Sequence, residues 1–152
     1  MKSNEIYEKS GEIGGLIRGL TNFANILVQS KEIDLAKENY ERALKLAKDH
    51  GYEGLHDTLM LNYAGIYFSE ENYAKAVELY SSIIDSSQKR EEVQLAGTAM
   101  YYCALGYVRL NDAEKAIANL QNAITLWSEI TPHPPQLDEA QQLLTKLKYV
   151  EN

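Results

Sequence analysis

The chain has 152 residues, the size of one domain, and 45% apolar residues with only 3 prolines give it the material for a buried core. Lys and Arg number 15 against 22 Asp and Glu, so the formal net charge is −7, which argues against nucleic acid or an anionic membrane as the main partner. The lone Cys103 excludes an internal disulfide, and no stretch approaches the roughly 18 apolar residues of a membrane span.

In chain order, residues 1–10 are expected to form a flexible segment, loosely docked through Ile6 and Tyr7. The start Met1-Lys2-Ser3-Asn4-Glu5 lacks the apolar core of a signal peptide, so the expected location is cytoplasmic. Gly11, Gly14 and Gly15 then interrupt the helical pattern, each at about 1 kcal/mol relative to Ala in a helix interior. From there the apolar spacing i, i+3, i+4 predicts helices at 12–29, 32–49, 53–69, 72–87, 91–109, 112–130 and 136–149. Polar turns separate them at Gln29-Ser30-Lys31, Ser69-Glu70-Glu71-Asn72 and Arg109-Leu110-Asn111-Asp112, with further breaks at His50-Gly51, Ser86-Ser87-Gln88 and Thr131-Pro132-His133-Pro134-Pro135.

These helices repeat. Ala36, Tyr40 and Ala43 are echoed by Ala76, Tyr80 and Ile83 and again by Ala116, Leu120 and Ala123, at an offset of 40 residues each time. The same offset relates Ala24 and Leu27 to Ala64 and Tyr67 and to Ala104 and Tyr107, and Ile33 to Tyr73 and Ala113. Small residues at these places let helices approach to about 8–10 Å, and the Tyr and Leu side chains fill the surrounding gaps. Ala140, Leu143, Leu144 and Leu147 keep the phase as half of a fourth unit, expected to close the core and turn Asp138, Gln141, Gln142, Thr145 and Lys148 to water.

The alternation of Asn62-Tyr63-Ala64-Gly65-Ile66-Tyr67 with Asn72-Tyr73-Ala74-Lys75-Ala76-Val77-Glu78-Leu79-Tyr80 resembles the tetratricopeptide repeat (TPR) family. That family's usual period is about 34 residues, so 40 is similar to its extended-repeat branch. The resemblance implies an all-α, right-handed superhelical solenoid over 11–150: three helix-turn-helix repeats at about 12–50, 52–90 and 91–130, and a capping helix at 136–149. It also implies a concave groove lined by the first helix of each repeat, holding a peptide or helix of a partner protein.

Residues one and four places beyond the core Ala of each first helix would face that groove. They are Arg18, Thr21, Asn25 and Val28; then Thr58, Leu61, Asn62, Gly65 and Phe68; then Thr98, Tyr101, Tyr102, Leu105 and Val108. Leu61, Phe68, Tyr101, Leu105 and Val108 make an apolar stripe beyond what repeat packing needs, and Asn25 and Asn62 can hold a peptide backbone by both donating and accepting. The two asparagines match those of the carboxylate clamp in chaperone-binding members. Thr21, Thr98 and Tyr102, however, stand where that clamp needs Lys or Arg, which disfavours an acidic C-terminal ligand. The competing expectation is that the stripe packs internally or against the last helix.

Nothing in the sequence points to catalysis, a metal or a cofactor. His50 and His56 flank a loop at i, i+6, His133 sits among prolines, and Cys103 falls on the core side of its helix. Gly11-Glu12-Ile13-Gly14-Gly15 lacks the Lys and the preceding strand of a phosphate loop. The expected function is therefore a non-catalytic interaction module for a protein or peptide. The alternatives are a small acidic chaperone for a secreted or assembling client, or a homo-oligomeric scaffold whose groove another copy fills.

Overall fold

A computed structural model of the chain describes the backbone of residues 2–150 and the side chains of residues 11–149. The expected docking of Ile6 and Tyr7 lies outside the described side chains. Seven helices follow one another: α1 (Lys2–Gln29), α2 (Ile33–Asp49), α3 (Glu53–Ser69), α4 (Tyr73–Lys89), α5 (Val93–Arg109), α6 (Ala113–Ser128) and α7 (Gln136–Val150). Among the described residues there is no strand. Each expected helix is present, with ends displaced by one or two residues except at the start of α1. That helix begins at Lys2, not at residue 12, and runs through the glycines. Side chains added at Gly11, Gly14, Gly15 or Gly19 would meet nothing within 4 Å, so packing does not require glycine there. The helical hydrogen-bond ladder continues past them because Ile17, Leu20, Ala24 and Leu27 anchor one face of the same helix.

One turn design joins the first six helices. Lys31, Gly51, Glu71, Glu91 and Asn111 all have positive φ, between 58° and 76°, and they fall every 20 residues. In each turn that residue's N–H and the next one reach back three and five residues, as in Lys31 N to Val28 O (3.1 Å) and Glu32 N to Leu27 O (2.8 Å). This paired pattern satisfies carbonyls at the helix end while the left-handed residue reverses the chain. Asn72 and Asp112 then cap α4 and α6, their side-chain oxygens accepting from Lys75 N and Lys115 N at 3.3 and 3.1 Å.

The chain divides into two compact units, Met1–Ile66 and Tyr67–Asn152, with the boundary inside α3. In the first, α1 packs on α2. Ile17, Leu20, Ala24 and Leu27 on α1 and Ala36, Tyr40, Ala43 and Ala47 on α2 are buried at alternating steps of three and four. In the second, α5 lies between α4 and α6, and α6 carries α7. Eight of its residues are buried, Ala96, Gly97, Ala99, Met100, Tyr101, Cys103, Ala104 and Gly106, so it is apolar nearly all round. Its small residues make that possible. A Cβ on Gly97 would come within 2.4 Å of Trp127 Nε1 on α6, and one on Gly106 within 2.6 Å of Val77 Cγ2 on α4. Met100, Tyr101, Ala104, Leu120, Ala123, Trp127, Leu137 and Ala140 form the core that α5, α6 and α7 share. A large side chain buried there contributes about 1.5–3 kcal/mol.

Candidate functional site

In the first unit, the one-residue step from buried Ala24 turns Asn25 to the surface, where its Oδ1 accepts from Tyr40 Oη on α2. One lone pair of that oxygen is thus taken, and Asn25 keeps its amide N–H groups to offer a ligand. Burial raises the Tyr40 hydroxyl above its ordinary pKa, keeping it a neutral donor. The Tyr40 ring lies 6.3 Å from that of Tyr63, whose hydroxyl donates to Glu41 Oε1 at 2.7 Å, so α1, α2 and α3 are linked by one polar and aromatic chain. On α3, Asn62 is exposed and Leu61 is half-buried. Thr21 and Thr58 return their hydroxyls to Ile17 O and Gly54 O of their own helices, at 2.7 and 3.0 Å.

In the second unit, the expected apolar stripe divides. Leu105 and Val108 on α5 are half-buried, as is Phe68, which meets Tyr73 edge-on at 5.0 Å while Arg109 stands over the other ring at 5.9 Å. Tyr101 corrects the expectation of a groove-facing residue. It is only 7% exposed, with its ring 5.8 Å from Trp127 and its hydroxyl donating to Glu139 Oε2 of α7 at 3.0 Å. Adjacent residues on a helix point about 100° apart, so Tyr101 and Tyr102 cannot share a face. Tyr102 takes the other direction, half-buried and stacked on Tyr80 at 5.8 Å and 20°. Tyr102 and Leu105 also touch the shared core, Tyr102 with its ring edge-on to that of Tyr101 at 5.5 Å, so internal packing accounts for Tyr101 and in part for Tyr102 and Leu105.

Tyr102, Leu105 and Val108 make a partly exposed row on α5. Thr98 precedes it, its hydroxyl returned to Gln94 O at 2.9 Å. Tyr102 belongs in that row in place of Tyr101, a choice that periodicity alone does not make. A separate open cleft of about 450 Å³ lies where α4 ends and α5 begins, with Val93, Ala96 and Leu126 as its apolar wall and Gln88, Glu91 and Glu92 on its polar side. None of the expected site residues lines it.

The titratable groups are arranged for structure. The Cys103 thiol is buried beside Ser81 Oγ (3.7 Å), and burial pushes its pKa up, which suits a packed thiol and not a nucleophile. His56 Nδ1 stands 3.5 Å from Asp57 Oδ1, and His133 Nδ1 3.1 Å from Trp127 O. Among the described residues no three His, Cys, Asp or Glu converge as a metal-holding group.

The model of the soluble NSF attachment protein (SNAP) family matches residues 1–130. The chain belongs to the SNAP family. No curated protein sequence matches this SNAP-family chain. Solved structures do. The N-terminal domain of stress-induced protein-1 (STI-1) from C. elegans is 17% identical, with a TM-score of 0.73 and coverage of 90% of this chain and 97% of that one. The first TPR of Spaghetti bound to the HSP90 peptide SRMEEVD is 15% identical, with a TM-score of 0.67 and coverage of 90% and 93%. PcrH in complex with the chaperone binding region of PopD is 16% identical, with a TM-score of 0.73 and coverage of 91% and 96%. At these identities the likeness establishes the fold: the SNAP-family chain is an all-α helical repeat protein of the TPR type.

Proposed function

We propose that this chain is a non-catalytic interaction module that holds an extended peptide or an amphipathic helix of a partner protein. The observation that carries the reading is the partly exposed row Tyr102, Leu105 and Val108, an apolar surface on a helix that also packs against α4, α6 and α7. Phe68 extends the apolar contacts of that unit. Leu61, Asn62 and the Asn25 amide are the contacts the first unit offers. Two solved structures of this fold contain a bound peptide or partner region, which supports the same use here.

The partner we propose is apolar and not an acidic C-terminus. Thr21, Thr98 and Tyr102 carry no positive charge, so none supplies the cation that an acidic terminus requires. A second reading, a chaperone for an assembling or secreted client, is favoured by the likeness to PcrH and by the net charge of −7. We also read the chain as an extended-period TPR protein, since α2, α4 and α6 begin 40 residues apart, as do α3 and α5. No helix among the described residues is long and apolar enough to cross a membrane.

The test is affinity capture with the wild type beside Leu105→Glu, once the variant has been shown to keep its helical content and cooperative melting. The expected result is a partner held by the wild type and lost by the variant. A partner held equally by both would overturn the assignment to α5. A client that is insoluble alone and soluble when co-expressed with this chain would select the chaperone reading.

A further inference from the structure

The outer face of α1 is apolar and uncovered. Leu16, Phe23 and Ile26 are 49%, 52% and 57% exposed, and Gly19 lies between them with open space where a side chain would be. The four positions follow steps of three, four and three, which places them on one stripe. In repeat register, 80 residues on, they correspond to Ala96, Ala99, Cys103 and Gly106 of α5, all buried. There α4 covers the stripe, with Cys103 Sγ 4.0 Å from Val77 O and Gly106 tight against the Val77 side chain. A helix is therefore the shape that fits this face.

We infer that the helix is α1 of a second copy, packed antiparallel. In that orientation, with the two-fold axis near residue 21, Phe23 of each copy enters the space beside Gly19 of the other, and Leu16 meets Ile26. Large meets small in the central layers, twice by symmetry. A parallel pairing would instead set Phe23 on Phe23 and leave both glycine positions empty. Charge favours the same face. Between residues 11 and 30 only Glu12 and Arg18 are charged, so two chains of net charge −7 meet where they carry least charge.

The stretch of α1 whose side chains are described, residues 11–29, is about 28 Å long and about 10 Å wide, which buries a few hundred Å² per copy, short of the roughly 800 Å² per partner of a stable interface. The dimer is consequently weak and concentration-dependent.

Sedimentation of the full chain over a concentration series tests this. The average mass is expected to rise from 17.2 kDa toward twice that value, and to rise further with added salt, which screens the net repulsion. Phe23→Glu should weaken association by about tenfold or more. Gly19→Leu is the discriminating variant. Gly19 is exposed, a Cβ there meets nothing within 4 Å and leucine is the better helix former, so the monomer is expected to keep its fold while the seat of Phe23 is filled. Dimerisation lost in Gly19→Leu supports the antiparallel pairing. A wild type that stays at 17.2 kDa at every concentration, or a Gly19→Leu chain that associates as well as or better than the wild type, overturns it.

Discussion

The Tyr101 hydroxyl donates to Glu139 Oε2 across 3.0 Å and so ties α5 to α7. Burial first, and then the hydrogen bond and charge of Glu139, push this hydroxyl up to about 12 from its ordinary 10. Tyr80, also buried, is raised as well. Both groups are neutral when protonated and have higher pKa values folded than unfolded. Their stabilisation is thus complete below pH 10 and is lost as the pH climbs through 12. The urea midpoint, followed by the fluorescence of Trp127, should fall through that interval, and Tyr101→Phe should remove part of the fall. At neutral pH the same substitution should lower stability by about 1 kcal/mol. An alkaline transition as steep in Tyr101→Phe as in the wild type would contradict the assignment.

Gly97 is the seat of Trp127. The indole is fully buried, its Nε1 has no acceptor within the protein, and it stands where the Cβ of any other residue at 97 would project, at 2.4 Å. Gly97→Ala therefore has to displace a ring that touches Tyr101 and the shared core. A loss of about 1–3 kcal/mol is expected, the range for overpacking. Chemical denaturation measures it, with a red shift of the tryptophan emission as the sign that the ring has moved. A neutral or stabilising effect, as for an ordinary Gly to Ala change in a helix, would show that the seat is not closed.

The helices were legible in the sequence because each repeat carries the same Ala and apolar spacing, and the polar breaks between them coincide with the turns except at Ser86-Ser87-Gln88, which lies inside α4: the buried Ser87 returns its hydroxyl to Ile83 O, and the turn falls at Arg90-Glu91-Glu92. The face of a given residue was less legible. Tyr101 and Tyr102 are neighbours of one type, and only the packing of α7, through Glu139, decides which is covered. The exposed stripe Leu16, Phe23 and Ile26 is hard to read from the sequence because glycines, which weaken a helix, stand before it and within it. Their 16, 19, 23, 26 spacing was the available signal. The role of Trp127 is not legible from the repeat, which has Ala47 and Ser87 at the equivalent positions and so gives no aromatic signal there.

Cys103 should behave as a structural thiol. It is 1% exposed, enclosed by Ser81 and Val77, and held protonated by burial. A disulfide-exchange reagent at neutral pH should modify it at the rate of local opening, orders of magnitude below that of a free thiol, and should titrate one thiol per chain once urea unfolds the protein. Rapid modification of the native protein would mean that the contact between α4 and α5 opens readily.

The five turns allow a stability test that leaves the packing untouched. Lys31, Glu71, Glu91, Asn111 and Gly51 all hold positive φ, a conformation that costs a residue with a Cβ about 1–2 kcal/mol and glycine almost nothing. Lys31, Glu71 and Glu91 are exposed, so replacement by glycine removes no buried contact. The glycine also loosens the unfolded chain, which offsets part of the gain. Each of Lys31→Gly, Glu71→Gly and Glu91→Gly is therefore expected to stabilise by about 0.5–1 kcal/mol, and the reverse change, Gly51→Ala, to destabilise by about 1 kcal/mol. Thermal and urea unfolding of the four variants decide the matter. Because each change relieves the backbone of its own turn, the three gains should add within about 0.5 kcal/mol. A triple glycine variant no more stable than the wild type would show that the left-handed residues are held without strain.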